Sequence, residues 1–241
     1  MKPVIGVPLR YEHLNDMRCI LYLGEKVRRC IQGAGGYVFP IAPVQDVDYM
    51  DTRGNEFSDL TEIEKDTIEY SLSLIDGMFF PGGKKFTPYD RYLLERCIEK
   101  KIPVLGVCLG MQMMSCYFED IKLEKNESDI NHNQESDEGF THRVRVMEDT
   151  RLHEIIGKDI IEVNSFHNYH STVNHLYNIN AISEDGIQEG IELPGEVFNI
   201  GVQWHPEISY LFDEDSRKII DAFLEACHEY HEVKNEENVR A

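Results

Sequence analysis

The sequence is short of basic residues and has no long apolar run. It carries 24 Lys and Arg against 44 Asp and Glu, a formal net charge of −20 at pH 7. Nucleic acids and anionic membrane surfaces repel such a chain at long range, so we expect neither as a partner. No stretch reaches the roughly 18 consecutive apolar residues of a membrane-spanning helix. Much of the acidic excess lies in Glu119–Glu138 and Glu225–Glu237, which indicates solvated surface.

Paired cysteines are also missing. None of the 6 cysteines forms a Cys-x-x-Cys pair, which argues against a zinc ribbon or a dithiol redox motif. The first residues lack the apolar core of a signal peptide, so we expect a cytoplasmic protein with reduced thiols. At 241 residues the chain is long enough to bury a core without disulfides or metals.

The first half of the chain alternates between strand and helix patterns. The predicted strands are residues 2–9, Tyr37–Ile41, Ile75–Pro81 and Pro103–Val107. The predicted helices are Cys19–Gln32, Glu62–Leu74, Pro88–Lys100 with Thr87 as N-cap, and Gly110–Phe118. Such alternation predicts a parallel sheet covered by helices.

The second half predicts short strands between two loops and a closing helix. Residues 43–60 and 119–140 are polar and irregular, and they are interpreted as loops. The strand patterns that follow are Val144 and Val146, Ile160–Val163, Ile179–Ile182, Ile187–Leu193 and Val197–Val202. Ser216–His231 predicts a helix and 232–241 a charged, frayed tail. We therefore predict one α/β domain over residues 1–231. Its doubly wound, flavodoxin- or Rossmann-like sheet is mostly parallel with antiparallel additions.

The segment 102–113, IPVLGVCLGMQM, has the form of a nucleophile elbow with Cys108 as the nucleophile. Gly106 and Gly110 allow neighbouring backbone to pass close to the turn. The elbow places the thiol beside a helix N-terminus, which favours the thiolate, and leaves the Leu109 N–H free for an oxyanion. The alternative is that Cys108 is a small buried hydrophobic residue, as we expect for the other cysteines, which lie in helical patterns.

The segment 200–207, IGVQWHPE, offers a base for that nucleophile. His205 follows a predicted strand, and Pro206 makes a rigid bend that allows Glu207 to fold back on the imidazole. The alternative is an ordinary loop histidine. The order Cys, His, Glu differs from the Ser, Asp, His order of α/β-hydrolases.

Three segments together resemble the signatures of class I glutamine amidotransferase domains. They are FFPGG at 79–83, GVCLGMQ at 106–112 and GVQWHPE at 201–207. The resemblance extends over about residues 4–225 and implies the following roles. Cys108 would be the nucleophile, His205 the base and then the acid, and Glu207 its orienting partner. The N–H groups of Gly83 and Leu109 would form the oxyanion hole, and Gly82 and Gln112 would bind substrate.

Two more segments resemble the free-standing gamma-glutamyl hydrolases of this family. EVNSFHNYH at 162–170 implies that Ser165, Phe166 and His167 lie along the glutamyl head group, and ISEDGIQEGIE at 182–192 resembles a hairpin of the same group. The predicted function is therefore cysteine-dependent hydrolysis of γ-glutamyl amides through a thioester, without a cofactor. However, Leu109 stands where these hydrolases usually carry Arg and is typical of biosynthetic glutaminase domains. A glutaminase that supplies ammonia to a synthetase partner is therefore the alternative.

The remaining features favour plain interpretations. His167, His170 and His175 are closely spaced, but no carboxylate or cysteine pattern accompanies them, so we predict substrate-loop histidines and no metal site. Lys84-Lys85 is interpreted as an exposed pair. The expected partners are a small γ-glutamyl substrate and either a synthetase or a second copy of the chain. A non-enzymatic scaffold on the same fold is the third hypothesis.

Overall fold

The computed structural model describes residues 1–13, 19–45, 59–116, 123–172 and 175–240. These residues form a mixed α/β fold around a nine-stranded sheet. The sheet strands are β1 Val4–Pro8, β4 Tyr37–Ile41, β5 Gly77–Phe80, β6 Val104–Val107, β8 His142–Val146, β9 Ile160–Val163, β11 Asn178–Ser183, β12 Gln188–Glu192 and β13 Asn199–Val202. Their order across the sheet is β4-β1-β5-β6-β13-β12-β11-β8-β9.

Four other strands of the described residues lie outside this sheet. They form the antiparallel pairs β2 Arg10–His13 with β3 Cys19–Tyr22, and β7 Glu124–Lys125 with β10 Tyr169–His170. The helices are α1 Glu25–Gly33, α2 Glu62–Ser73, α3 Pro88–Glu99, α4 Leu109–Ser115, α5 Arg151–Ile156, α6 Pro206–Ser209 and α7 Glu214–Arg240.

The pairing of strands in the sheet changes from parallel to antiparallel at β13. Strands β4, β1, β5, β6 and β13 run parallel. From β13 outward the strands β12, β11, β8 and β9 pair antiparallel. The central parallel strands are buried along their whole length, as expected for strands covered on both faces. The predicted fold class, a doubly wound sheet with antiparallel additions, is confirmed.

Each face of the sheet has its own hydrophobic core. Residues of α1, α5 and α7, such as Ile31, Leu152 and Phe223, pack on one face. Residues of α2, α3 and α4, such as Leu72 and Leu93, pack on the other. The carboxyl ends of β6 and β13 therefore meet between two layers of helices.

Two sequence interpretations differ from the structure. Cys19–Tyr22 is strand β3 and not the start of a helix; the helix begins at Glu25, immediately after its N-cap Gly24. The apolar residues of this short stretch fit the helical period by coincidence, and Cys19 is therefore in a strand. Helix α7 continues beyond His231 to Arg240. The His231 Nδ1 atom lies 3.0 Å from Asp76 Oδ2, and Lys234 donates to the Ile75 carbonyl at 2.7 Å, so contacts with the sheet hold this part of the helix.

Some predictions concern segments outside the described residues. These are most of the loop at 43–60 and the first part of the loop at 119–140. The prediction of one domain over 1–231 stays a prediction. Among the described helices, none combines the length and apolar character that crossing a bilayer requires.

Candidate active site

Cys108 lies at a sharp turn between β6 and α4. Its backbone has φ 52° and ψ −106°, a left-handed conformation that L-residues rarely adopt. A Cβ at Gly110 would collide with the Phe80 carbonyl oxygen, and one at Gly106 would lie 2.9 Å from the Gly110 carbonyl carbon. Both glycines of the predicted elbow are therefore required by close backbone approach, and the elbow itself is present.

His205 reaches Cys108 because their two strands are neighbours. β6 and β13 pair in parallel, and the Cys108 N–H donates to the Val202 carbonyl at 2.8 Å. A Cβ at Gly82 would lie 2.9 Å from His205 Cε1 and 3.6 Å from Cys108 Cβ. The side chains of Cys108 and His205 thus both pack against Gly82, and only glycine fits between them.

Glu207 orients the imidazole of His205. Its Oε1 lies 2.7 Å from His205 Nδ1, so the N–H on that nitrogen points at the carboxylate. Burial opposes a charged imidazolium, but the negative charges of Glu207 and Cys108 raise the pKa of His205 well above its usual range. This arrangement favours a protonated imidazole beside Cys108.

Other cysteines lack this environment. Burial raises the pKa of the Cys30 thiol, and the nearby Glu207 charge raises it further. Burial likewise raises the pKa of Cys97 and Cys227, so these thiols stay neutral and inert near neutral pH. The structure therefore distinguishes Cys108 from these buried cysteines.

Asn164 holds the backbone of His205, a contact that the sequence analysis missed. The His205 N–H donates to Asn164 Oδ1 at 2.8 Å, and Asn164 Nδ2 donates to the His205 carbonyl at 2.9 Å. The same amide also donates to Ser209 Oγ at 2.7 Å. Asn164 belongs to the segment that resembles the hydrolases, and its position next to Ser165 was the available signal.

Arg10 holds the Gly82-Gly83 segment from behind. Its buried guanidinium donates to the Pro81 carbonyl at 3.0 Å and to Asp90 Oδ1 at 2.6 Å. A Cβ at Gly83 would lie 3.0 Å from Leu109 Cδ2, so Gly83 and Leu109, the two predicted oxyanion residues, are adjacent. Arg10 was also missed, because no motif marks a lone arginine after β1.

The predicted substrate residues divide into two groups. Phe166 meets His205 edge to face at 5.4 Å between ring centroids, and Gln112 Nε2 donates to the Tyr169 carbonyl at 2.8 Å. Phe166 thus contacts a residue of the candidate site, whereas the Gln112 amide also donates to Gln203 Oε1 at 3.1 Å. The hydroxyl of Ser165 donates to the His132 carbonyl at 2.8 Å, and the ring of His167 points at Glu189. The side chains of Gln112, Ser165 and His167 are therefore engaged inside the protein.

His170 and Lys84 have partners of their own. His170 Nδ1 lies 2.9 Å from Asn126 Oδ1, and the Nδ2 atom of the same amide is 3.2 Å from His167 Nδ1. The exposed Lys84 forms an ion pair with Glu12 of β2 at 2.5 Å.

The protein has a doubly wound sheet, an elbow at Cys108 and an adjacent His205–Glu207 pair. Together these features define a class I glutamine amidotransferase-like protein. Within that class, the Peptidase C26 family model matches residues 87–207, and the chain belongs to this family.

Similar proteins carry several functional descriptions. A glutamine amidotransferase-like protein of Rickettsia prowazekii is 30% identical over 221 residues, covering 64% of this chain and 77% of the relative. The gamma-glutamyl-gamma-aminobutyrate hydrolase of Escherichia coli K12 is 24% identical, covering 95% and 94%. A GMP synthase component of Thermoplasma acidophilum has the same fold, with a TM-score of 0.67 at 16% identity and 98% coverage of both chains.

Proposed function

We propose that the protein hydrolyses γ-glutamyl amide bonds through a γ-glutamyl thioester on Cys108. The observation that carries this proposal is the arrangement of three side chains. Cys108 lies at a turn with positive φ and packs against Gly82, which also contacts His205. The Nδ1 atom of His205 lies 2.7 Å from Glu207 Oε1. Such a set activates a nucleophile and supplies a proton to a leaving group.

In the first step the Cys108 thiolate attacks the γ-carbonyl carbon. The N–H groups of Gly83 and Leu109 stabilise the oxyanion, each contributing about 3 kcal/mol to transition-state binding. The C–N bond then breaks, and the imidazolium of His205 gives its proton to the departing amine. The product of this step is the thioester and a free amine.

In the second step His205, now neutral, removes a proton from water. The resulting hydroxide attacks the thioester carbonyl, the C–S bond breaks, and glutamate leaves while the thiolate re-forms. Glu207 stays ionised and stabilises the imidazolium in both steps. We also propose that Phe166 and Gln112 contact the glutamyl group, because they lie beside His205 and the first turn of α4.

Replacement of the nucleophile tests the proposal. Cys108→Ala should reduce glutamate release from a γ-glutamyl amide to background, because the proposed thioester forms on the Cys108 sulfur. Cys116→Ala, at the opposite end of the same helix, is the matched control and should keep activity. Coupled glutamate dehydrogenase measures the product, and trapped acyl-enzyme in the wild type is read by mass spectrometry. Full turnover by Cys108→Ala would contradict the proposal.

The substrate is proposed to be a small γ-glutamyl amide with a neutral or cationic amine. The Escherichia coli gamma-glutamyl-gamma-aminobutyrate hydrolase, similar over nearly its full length, supports the γ-glutamyl half. The net charge of −20 disfavours an anionic amine at long range. Competition between γ-glutamyl derivatives of charged and neutral amines measures this preference through kcat/KM.

The second candidate is a glutaminase that delivers ammonia to a synthetase partner. Leu109 after the nucleophile favours it, and the fold shared with the GMP synthase component of Thermoplasma acidophilum supports the same idea. Strong activity of the isolated chain on γ-glutamyl amines would support the hydrolase. Activity on glutamine that appears only when a synthetase is added would support the glutaminase.

A further inference from the structure

Three histidine rings converge on one buried carboxylate away from the candidate active site. His132 Nδ1, His142 Nε2 and His167 Nε2 lie 3.1, 3.5 and 3.3 Å from Glu189 Oε1. Glu189 is fully buried, and each histidine is at most 8% exposed. The four side chains come from the segment before β8, from β8 itself, from the segment after β9 and from β12. We refer to them as the His–Glu cluster.

The inward-facing atoms of the His–Glu cluster have no hydrogen-bond partner. This holds for His132 Nδ1, His142 Nε2, His167 Nε2 and both carboxylate oxygens of Glu189, although they lie close together. A buried polar atom without a hydrogen-bond partner destabilises the folded state by about 1–3 kcal/mol. Five such atoms at one point therefore need a common explanation. A cation at the centre would satisfy all of the atoms that meet at Glu189 Oε1.

The outer ring nitrogens are already held, as in metal sites whose histidines are fixed by a second partner. The contacts are His132 Nε2 to Asp185 Oδ2 at 2.9 Å, His142 Nδ1 to Thr141 Oγ1 at 3.1 Å, and His167 Nδ1 to the Tyr169 carbonyl at 3.0 Å. Asn126 Nδ2 is 3.2 Å from the same His167 nitrogen, but it donates to the His167 carbonyl at 3.1 Å. A neutral ring that donates outward presents a lone pair inward.

The spacing of the ligand atoms fits a small transition-metal ion. Bonds of about 2.0–2.1 Å from zinc to nitrogen or oxygen place tetrahedral ligand atoms about 3.4 Å apart. The distances to Glu189 Oε1 are close to that value, and the ligand atoms of His132, His142 and Glu189 all lie within 4.8 Å of one another. Imidazole ligands suit zinc and its neighbours, whereas calcium and magnesium prefer oxygen alone.

We propose that His132, His142 and Glu189, with His167 as the fourth ligand, bind one divalent transition-metal ion of the Zn²⁺ class. The ligand atoms of the first three residues already lie within 4.8 Å of one another. His167 Nε2, which lies 3.3 Å from Glu189 Oε1, would move in to complete a tetrahedral shell. Four protein ligands would leave no position for water, so the proposed site is structural. The ion would also connect to the active site. The Ser165 hydroxyl and the His167 N–H both donate to the His132 carbonyl at 2.8 Å, and Phe166 lies between them.

Metal binding to the unaltered chain is the first test. Protein prepared without a polyhistidine tag is stripped with a chelator and titrated with Co²⁺, whose visible absorption reports a tetrahedral site. We expect saturation at one Co²⁺ per chain, displacement by Zn²⁺, and a higher Tm with Zn²⁺ than with chelator. If neither the Co²⁺ absorption nor the Tm shift is observed, the proposal is overturned. The His–Glu cluster would then be a buried network of ion pairs between protonated histidine and carboxylates.

Variants locate the ion. His142→Gln and Glu189→Gln should lower the affinity for Co²⁺, read from its absorption, at least tenfold, whereas His153→Gln should bind as the wild type does. His153 is the matched control, because its ring also hydrogen-bonds a carboxylate, Asp159 at 2.9 Å, but lies near the surface. Unchanged binding by folded His142→Gln would overturn the assignment. Cys108→Ala should bind Co²⁺ fully, so loss of hydrolysis and loss of metal are separate results.

Discussion

At the scale of single residues, the protonation of His205 depends on the charges of two neighbouring side chains, Glu207 and Cys108. Burial alone would favour the neutral imidazole, and the charges of Glu207 and Cys108 reverse that preference and raise the pKa of His205. In the proposed reaction the imidazolium protonates the leaving amine. Activity should therefore persist to higher pH than an ordinary histidine would allow and fall as His205 loses its proton.

Glu207→Gln should lower kcat by about 10²-fold or more, because the imidazole loses its orienting charge. It should also lower the pKa of His205, because burial then acts against the imidazolium without opposition from Glu207. The alkaline limb of the pH profile of kcat/KM should therefore move to lower pH. Glu225→Gln, an exposed change on α7, is the control, and a limb that stays in place would contradict this role.

At the scale of secondary-structure elements, a buried carboxylate ties α5 to the antiparallel half of the sheet. Glu192 of β12 accepts the backbone N–H groups of Arg151 and Leu152 at 2.8 and 3.2 Å, and Asn180 Nδ2 at 3.1 Å. These backbone groups are helix N-terminal donors that lack partners within the helix. A strand residue therefore caps a helix more than 30 positions earlier in the chain.

Glu192→Gln should reduce the free energy of unfolding by about 1–3 kcal/mol, because its amide N–H₂ would face donors instead of accepting from them. Urea denaturation followed by circular dichroism measures the loss. Glu196→Gln, in the exposed turn between β12 and β13, should change stability little. Equal stability of the two variants would show that the cap contributes nothing.

The sequence predicted elements well where local signals were strong. The helix after Thr87, with Pro88 at its first position, was confirmed, and so were the strands that lead to Cys108 and His205. The helix predicted over Cys19–Gln32 is present from Glu25, but its start over Cys19–Tyr22 was wrong, because so short an apolar stretch fits either period. Helix α5 was not predicted, although it has local signals at both ends: the N-cap Thr150, whose hydroxyl accepts the His153 N–H at 3.2 Å, and the left-handed Gly157. At six residues it is too short to show a helical period.

The candidate site was predictable to a similar extent. Cys108, His205 and Glu207 lie in contiguous motifs, and the structure brings them together as expected. Arg10 and Asn164 act through long-range contacts with backbone atoms, which no local pattern reveals. The His–Glu cluster has ligands at unequal spacing on separate strands, so the closely spaced His167, His170 and His175 pointed to the wrong neighbours.

At the scale of the whole molecule, the surplus of 20 negative charges should influence which substrates arrive. For an anionic γ-glutamyl substrate, kcat/KM should rise with ionic strength, because salt screens the repulsion between the protein and the substrate. At 0.1 M ionic strength the Debye length is about 10 Å. For a cationic substrate kcat/KM should fall. Rates with matched neutral, anionic and cationic amides measure the trend, and identical salt dependence of all three would contradict it.

The pairing of β6 with β13 has a consequence for when the candidate site can form. Cys108 and His205 stand almost a hundred residues apart in the chain, and their backbones are joined through the bond from the Cys108 N–H to the Val202 carbonyl. During synthesis the Cys108 segment is made long before β13, which lies between β6 and β12. The candidate site is therefore incomplete until β13 has joined the sheet. In a refolding chain, the onset of the proposed hydrolysis would report that this strand is in place.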